Sequence, residues 1–212
     1  MANLLSRLSY LSYQDFWMEL KKVRVTPPSP IQFMSRQFHL DKPALTAAVL
    51  VPFIKIEDEW RLVFIHRVEN HHLHSGQVAF PGGKHEEHDP TMEFTALREA
   101  KEEIGIEPEE VLVARQVTPL LTVTNFLITP ILGLIPYPYS FKPNPSEVSR
   151  LFSIPITWLA DQQNYKIIPR QFPEPIGVVH TIYYEPYDQE ILWGASAQIV
   201  YDLIDLLKQE TP

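Results

Sequence analysis

The 212-residue chain contains no cysteine, which removes disulfide staples, thiolate metal sites and a thiol nucleophile together. Glycine is scarce, seven residues against twenty prolines, so the few glycines mark special backbone needs and the prolines mark stiffened loops. No apolar run approaches the roughly 18 residues of a membrane span, and the N-terminus lacks the uninterrupted apolar core of a signal peptide. No membrane partner is therefore expected, and the expected location is the cytoplasm. A basic tract is missing as well: 18 Lys and Arg face 26 Asp and Glu, for a formal net charge of −8. Nucleic-acid backbones are gripped mainly by Lys and Arg that displace counterions, so duplex DNA and long RNA are disfavoured partners.

What is present is material for a real core, 45% hydrophobic and 21% charged residues, at a length that suits one domain with an extension. The acidity is concentrated. Residues 86–110 hold ten carboxylates (Glu86, Glu87, Asp89, Glu93, Glu99, Glu102, Glu103, Glu107, Glu109 and Glu110) against Arg98 and Lys101, a net of −8, so the remaining 187 residues sum to zero. Four of the seven glycines (Gly76, Gly82, Gly83 and Gly105) lie around the same window.

Leu4, Leu5, Leu8 and Leu11, then Phe16, Trp17 and Leu20, recur at helical spacing, and Ser12 three residues before Asp15 is a cap signal. Residues 1–43 thus read as a helical N-terminal extension, over about 3–22, and a Pro-rich linker around Pro27, Pro28 and Pro30. Its helices either pack on the domain or meet a second subunit in a homodimer. Residues 44–212 read as the main domain. Ala44–Ile56 and Trp60–Val68 have strand character around a Glu57-Asp58-Glu59 turn, and Val111–Val117, Leu120–Val123 and Phe126–Ile135 add strands. Helical patterns cover 90–104 and Ala195–Lys208, whereas 136–145 and 169–186 read as proline-stiffened loops. This mixture predicts a layered α/β (α+β) fold.

Asp89 before Pro90 predicts a helix start, and Gly105 a stop. At 100° per residue, Phe94, Leu97, Ala100, Lys101 and Ile104 share the side expected to face the sheet, with Glu99, Glu102 and Glu103 opposite. Three clustered carboxylates repel one another unless a cation sits among them. Hard divalent ions take carboxylates together with waters and substrate phosphates; a merely solvated acidic face is the plainer alternative.

The pattern Gly83-x5-Asp89-x8-Arg98-Glu99-Ala100-Lys101-Glu102-Glu103-Ile104-Gly105-Ile106 resembles the Nudix box, Gly-x5-Glu-x7-Arg-Glu-apolar-x-Glu-Glu-x-Gly-apolar. It departs twice, with Asp89 at the usual Glu and a spacer one residue longer. Arg67, Gly76 and Phe80-Pro81-Gly82-Gly83 upstream resemble the signature of the coenzyme A pyrophosphatase branch of that family. So do Phe126 with Thr129-Pro130, Ser146-Glu147-Val148 leading to Ile154-Pro155, and Trp193-Gly194-Ala195-Ser196-Ala197 downstream. His72 stands where the branch has a second Arg, a conditional cation in place of a permanent one.

The resemblance implies a Nudix-like α/β/α sandwich with a mixed central sheet and a metal-dependent pyrophosphohydrolase using Mg²⁺ or Mn²⁺. It implies Glu99, Glu102, Glu103 and the Gly83 carbonyl as metal ligands, and Arg98 as the residue that orients them. Glu147, with Glu102 second, is the expected general base. Arg67, His72 and Phe80 are the expected substrate contacts, with Trp193 a further aromatic that could stack on a base, and Phe126 and Tyr137–Tyr139 are expected near the pocket. The implied substrate is a small-molecule nucleotide: coenzyme A or a derivative, cleaved to 3′,5′-ADP and 4′-phosphopantetheine. ADP-ribose or another nucleoside diphosphate derivative is the alternative, and a non-catalytic ligand-binding module is the alternative of another class. Six of eight histidines (His66, His71, His72, His74, His85 and His88) precede or flank the box. Their spacing fits no closed zinc site, and a place beside substrate phosphates is the preferred reading.

Overall fold

A computed structural model describes residues 3–23, 43–69, 76–174 and 176–209. The linker prolines and His71, His72 and His74 lie outside the described residues. The first strand, β1 (Leu45–Ile56), runs through the centre of an eight-stranded mixed sheet. It pairs antiparallel with β2 (Glu59–Arg67) across a tight turn in which Glu57 adopts φ 55°. On its other side it pairs parallel with β7 (Phe126–Leu134). The short strands β3 (Val78–Ala79), β4 (Gly82–Lys84) and β6 (Leu120–Leu121) pair with β2, β1 and β7 respectively. β5 (Leu112–Gln116) lies on the outer side of β7, and β8 (Val148–Pro155) on the outer side of β2.

Both faces of the sheet are covered, which is why its strands read as near-continuous apolar runs. Side chains alternate across a strand, so Ala48, Leu50 and Ile54 of β1 with Val63 and Ile65 of β2 pack on one side. Val51 and Phe53 with Trp60, Leu62 and Phe64 pack on the other. The first side is covered by helix α3 (Met92–Ile104), whose Ala96 and Ala100 let it approach closely. The second is covered by α1 (Leu4–Arg7), α2 (Tyr13–Lys22), α4 (Ile156–Ala160) and α5 (Gly194–Lys208). This is the expected α/β/α sandwich. Among the described residues no helix is long and apolar enough to cross a membrane.

The N-terminal helices share this core. Ser12 caps α2 by accepting from the Asp15 N–H, as its spacing predicts. Phe16 is fully buried, its ring centroid 4.4 Å from Trp60 and 5.2 Å from Phe53. The Trp17 indole donates to the Val113 carbonyl at 2.9 Å, and Arg115 donates to the carbonyls of Lys21 and Val23. These bonds cover part of β5, which would otherwise be an open sheet edge.

Two expectations are corrected. The 169–186 segment is not a loop: β9 (Tyr165–Gln171) and β10 (Val178–Tyr184) form a separate antiparallel pair in which Pro169 faces His180. A proline is tolerated there because each strand of a two-stranded ribbon has a free edge. Helix α3 is capped by Thr91, not Asp89, and starts at Met92. It is also rotated by roughly 100° from the apolar count: Thr95, Ala96, Ala100, Glu103 and Ile104 are buried, whereas Phe94 is 45% exposed and Lys101 is exposed.

Candidate active site

The 80–84 segment, which ends in β4, meets the sheet-facing side of α3 at the N-terminal half of β1, where Gly82 pairs with Val49 and Gly83 with Ala48. Gly82 is required by close approach, because a Cβ there would lie 2.4 Å from the Ala48 carbonyl oxygen and 2.6 Å from Val49 Cα, whereas one at Gly83 would meet the movable end of the Glu99 side chain. At the far end of the helix Gly105 adopts φ 66° and its N–H caps Lys101, the predicted stop.

Glu103 is 1% exposed, an expensive place for a charge. Its Oε2 accepts the Gly82 N–H at 2.8 Å and its Oε1 meets Arg67 Nη2 at 2.8 Å. Arg67 Nη2 also donates to the Gly82 carbonyl at 2.8 Å. Burial nevertheless wins over the Arg67 charge and the Gly82 bond, and pushes the Glu103 carboxyl up to about 7. Burial raises Glu99 as well, with Arg98 opposing.

Arg98 is the hub of the acidic face. Nε donates to Asp89 Oδ1 at 3.1 Å and Nη2 to Asp89 Oδ2 at 3.0 Å, while Nη1 faces Glu99 Oε1 at 3.0 Å and Glu102 Oε2 at 3.3 Å. Nη2 also donates to the Lys84 carbonyl at 3.2 Å. These paired hydrogen bonds hold Asp89 well below the usual carboxylate range despite its burial, and raise Arg98 further.

The last carbonyls of α3 need partners. Lys142 and Asn144 supply them, their N–H groups donating to Ile104 O and Glu103 O at 2.9 Å each. That docking brings the exposed Glu147 within electrostatic reach of Glu103. Asn144 Nδ2 donates to Glu147 Oε1 at 2.9 Å, and Val68 N–H to the Glu147 carbonyl at 2.9 Å. Residues 36 and 44 positions from Glu103 in sequence, Arg67 and Glu147, are thus gathered on it.

The NUDIX domain pattern matches residues 44–174. The chain belongs to the Nudix hydrolase family. It is 34% identical to the Nudix hydrolase NudL of Photorhabdus laumondii over 177 residues, 84% of this chain and 89% of the relative. It is also 34% identical to NudL of Yersinia enterocolitica over 181 residues, 85% and 87% of the two chains. Among solved structures, a MutT protein of Methanosarcina mazei Go1 aligns with 81% of this chain and 99% of that one at TM-score 0.51 and 15% identity, a likeness of fold. Membership makes the protein a hydrolase of the pyrophosphatase type acting on a small-molecule nucleotide, in a family that generally uses divalent metal ions.

The donor set of this Nudix hydrolase fits such an ion in kind. Glu99, Glu102 and Glu103 offer hard oxygens, and the side chain that Gly83 lacks leaves its backbone against Glu99. As they stand these carboxylates are taken up by Arg98, Arg67 and Gly82, and among the described residues no three acidic or imidazole side chains converge closely enough to hold an ion.

Other expected contacts fall elsewhere. Phe80 is 1% exposed and stacked on Phe64 at 4.7 Å, so it is a core residue with no open ring face for a base. Trp193 stacks on Tyr183 with Arg170 over its ring, against the β9–β10 ribbon. Tyr137 lies beyond Ile135, whose N–H bonds Phe53 O toward the opposite end of β1 from Gly82, and Tyr139 hydrogen-bonds Glu107 and Glu110. Phe126 pairs with Leu45 at the site end of β1. His66 bonds Glu190 at 2.7 Å, the exposed His88 lies 3.4 Å from Glu86, and His72 is outside the described residues. Arg67 faces Glu103, a supporting position that sequence spacing alone did not separate from substrate contact.

Proposed function

We propose that this Nudix hydrolase cleaves the diphosphate of coenzyme A or its derivatives, releasing 3′,5′-ADP and a 4′-phosphopantetheine product. The observation that carries the reading is the docking of the Ser146-Glu147-Val148 segment on the box helix. The Asn144 N–H bonds Glu103 O, and Val68 beside Arg67 bonds the Glu147 carbonyl. Two stretches of the coenzyme A branch signature that are far apart in sequence thereby border one carboxylate.

Glu99, Glu102 and Glu103, with the Gly83 carbonyl, would hold Mg²⁺ or Mn²⁺. A bound divalent ion neutralises phosphate oxygens and makes water more acidic. Arg98 keeps Glu99 and Glu102 together, and Arg67 fixes Glu103 in its buried seat. Glu147, exposed and held by Asn144, takes the proton of the attacking water, with Glu102 the second choice. The water oxygen bonds to one phosphorus, the bridging P–O bond breaks, and its electron pair leaves with the other phosphate.

The test is a substrate panel of coenzyme A, ADP-ribose, a dinucleoside polyphosphate and a nucleoside triphosphate, each with Mg²⁺ or Mn²⁺, with products separated by charge. Release of 3′,5′-ADP from coenzyme A supports the reading. Cleavage of ADP-ribose with coenzyme A left intact overturns the substrate assignment and keeps the chemistry.

A further inference from the structure

We propose that Thr95 and His85 are positioning residues of the hydrolytic site, acting through Asp89 on the Arg98 side chain that holds Glu99 and Glu102. Thr95 is fully buried on the sheet-facing stripe of α3, where an unbonded hydroxyl would be costly. Its Oγ1 lies 2.9 Å from Asp89 Oδ2 and 2.8 Å from His85 Nδ1. A helical threonine ordinarily bonds back to the carbonyl four residues earlier, but Thr91 O is farther away, at 3.3 Å.

The directions of these bonds follow from the groups. An ionised carboxylate only accepts, so the single Thr95 proton goes to Asp89, and the Thr95 oxygen then takes the Nδ1–H of His85. The result is one ordered chain, His85 to Thr95 to Asp89, ending at a carboxylate that also receives Arg98 and the Glu86 N–H. Asp89 is one methylene shorter than the glutamate usual in the box, and its side chain is fully buried. Three donors (Thr95, Arg98 Nη2 and the Glu86 N–H) converge on its Oδ2 and fix its plane, and that plane sets how Arg98 presents Nη1 to Glu99 and Glu102.

The inference rests on the reading of Glu99 and Glu102 as metal ligands, so its test measures Mn²⁺ binding alone, by titration of the full chain without substrate. Thr95→Val keeps the shape and removes the hydroxyl, whereas Thr95→Ser keeps the hydroxyl. His85→Asn keeps a donor where Nδ1 stands, whereas His85→Gln does not. The expected result is Mn²⁺ affinity about 10-fold weaker in T95V and H85Q, and near wild type in T95S and H85N. Should T95V fail to fold, the less buried His85 pair carries the same comparison. A T95V protein that melts earlier yet binds Mn²⁺ as wild type does, while Glu99→Gln weakens binding, overturns the inference and leaves Thr95 a packing residue. A Glu99→Gln protein with wild-type Mn²⁺ affinity overturns the ligand reading and this inference with it.

Discussion

Asp89 and Arg98 form a two-point ion pair, Nε to Oδ1 at 3.1 Å and Nη2 to Oδ2 at 3.0 Å, between a carboxylate outside the helix and a guanidinium within it. Thr91 caps the helix, and Asp89 reaches across to Arg98. Hydrogen bonds from Arg98, with smaller help from Glu86 N–H and Thr95, hold its carboxyl below the ordinary value. A depressed acid contributes stability that is complete above its unfolded value, about 4, and is lost as pH falls through the folded one. Urea midpoints should therefore start to fall below about pH 5 and keep falling below about pH 3, with a shallower slope in Asp89→Asn.

Arg67 is placed to offset the burial of Glu103. Arg67→Ala leaves that carboxylate with the Gly82 N–H, and should cost about 1–3 kcal/mol in denaturant unfolding above about pH 7, where the acid is ionised. In a Glu103→Gln background the same change should cost less, since the charge to be compensated is gone. Equal costs in the two backgrounds would show that Arg67 acts independently of Glu103.

The N-terminal helices are expected to behave as part of the core. Phe16→Ala removes a fully buried ring from between Phe53 and Trp60, and should destabilise the whole protein by about 3–5 kcal/mol in a single unfolding transition. An early, separate melting step would instead mark the helices as an appendage.

Glu147→Gln keeps the hydrogen bonding with Asn144 and removes the basic oxygen. Steady-state kinetics on coenzyme A should show kcat lowered by about 10²–10⁴-fold with KM little changed. An unchanged kcat would move the proton-accepting role to Glu102.

The local signals in the sequence were reliable where the cause was local. Ser12 capping α2, Gly105 stopping α3 and the turn after Ile56 all appear where residue chemistry places them. The buried face of α3 is not legible from apolar spacing because it includes a glutamate. Arg67 and the Gly82 N–H make that burial tolerable, and both lie outside the helical window. The β9–β10 ribbon is masked in the sequence by Pro169 and its neighbours, which signal turns, although Val178-Val179 and Ile182 to Tyr184 carry a strand pattern. Phe80 stands in the sequence close to Gly82, yet its ring faces Phe64 in the core. Thr95 gave a faint signal, a hydroxyl beside Ala96 on the stripe that packs closest to the sheet.

The most direct measurement is the time course of coenzyme A conversion with Mg²⁺, comparing the wild type with Glu103→Gln and following 3′,5′-ADP by charge separation. The account predicts steady release by the wild type and a loss of turnover by orders of magnitude in the variant. Coenzyme A left intact by the wild type, or wild-type turnover in Glu103→Gln, would contradict it.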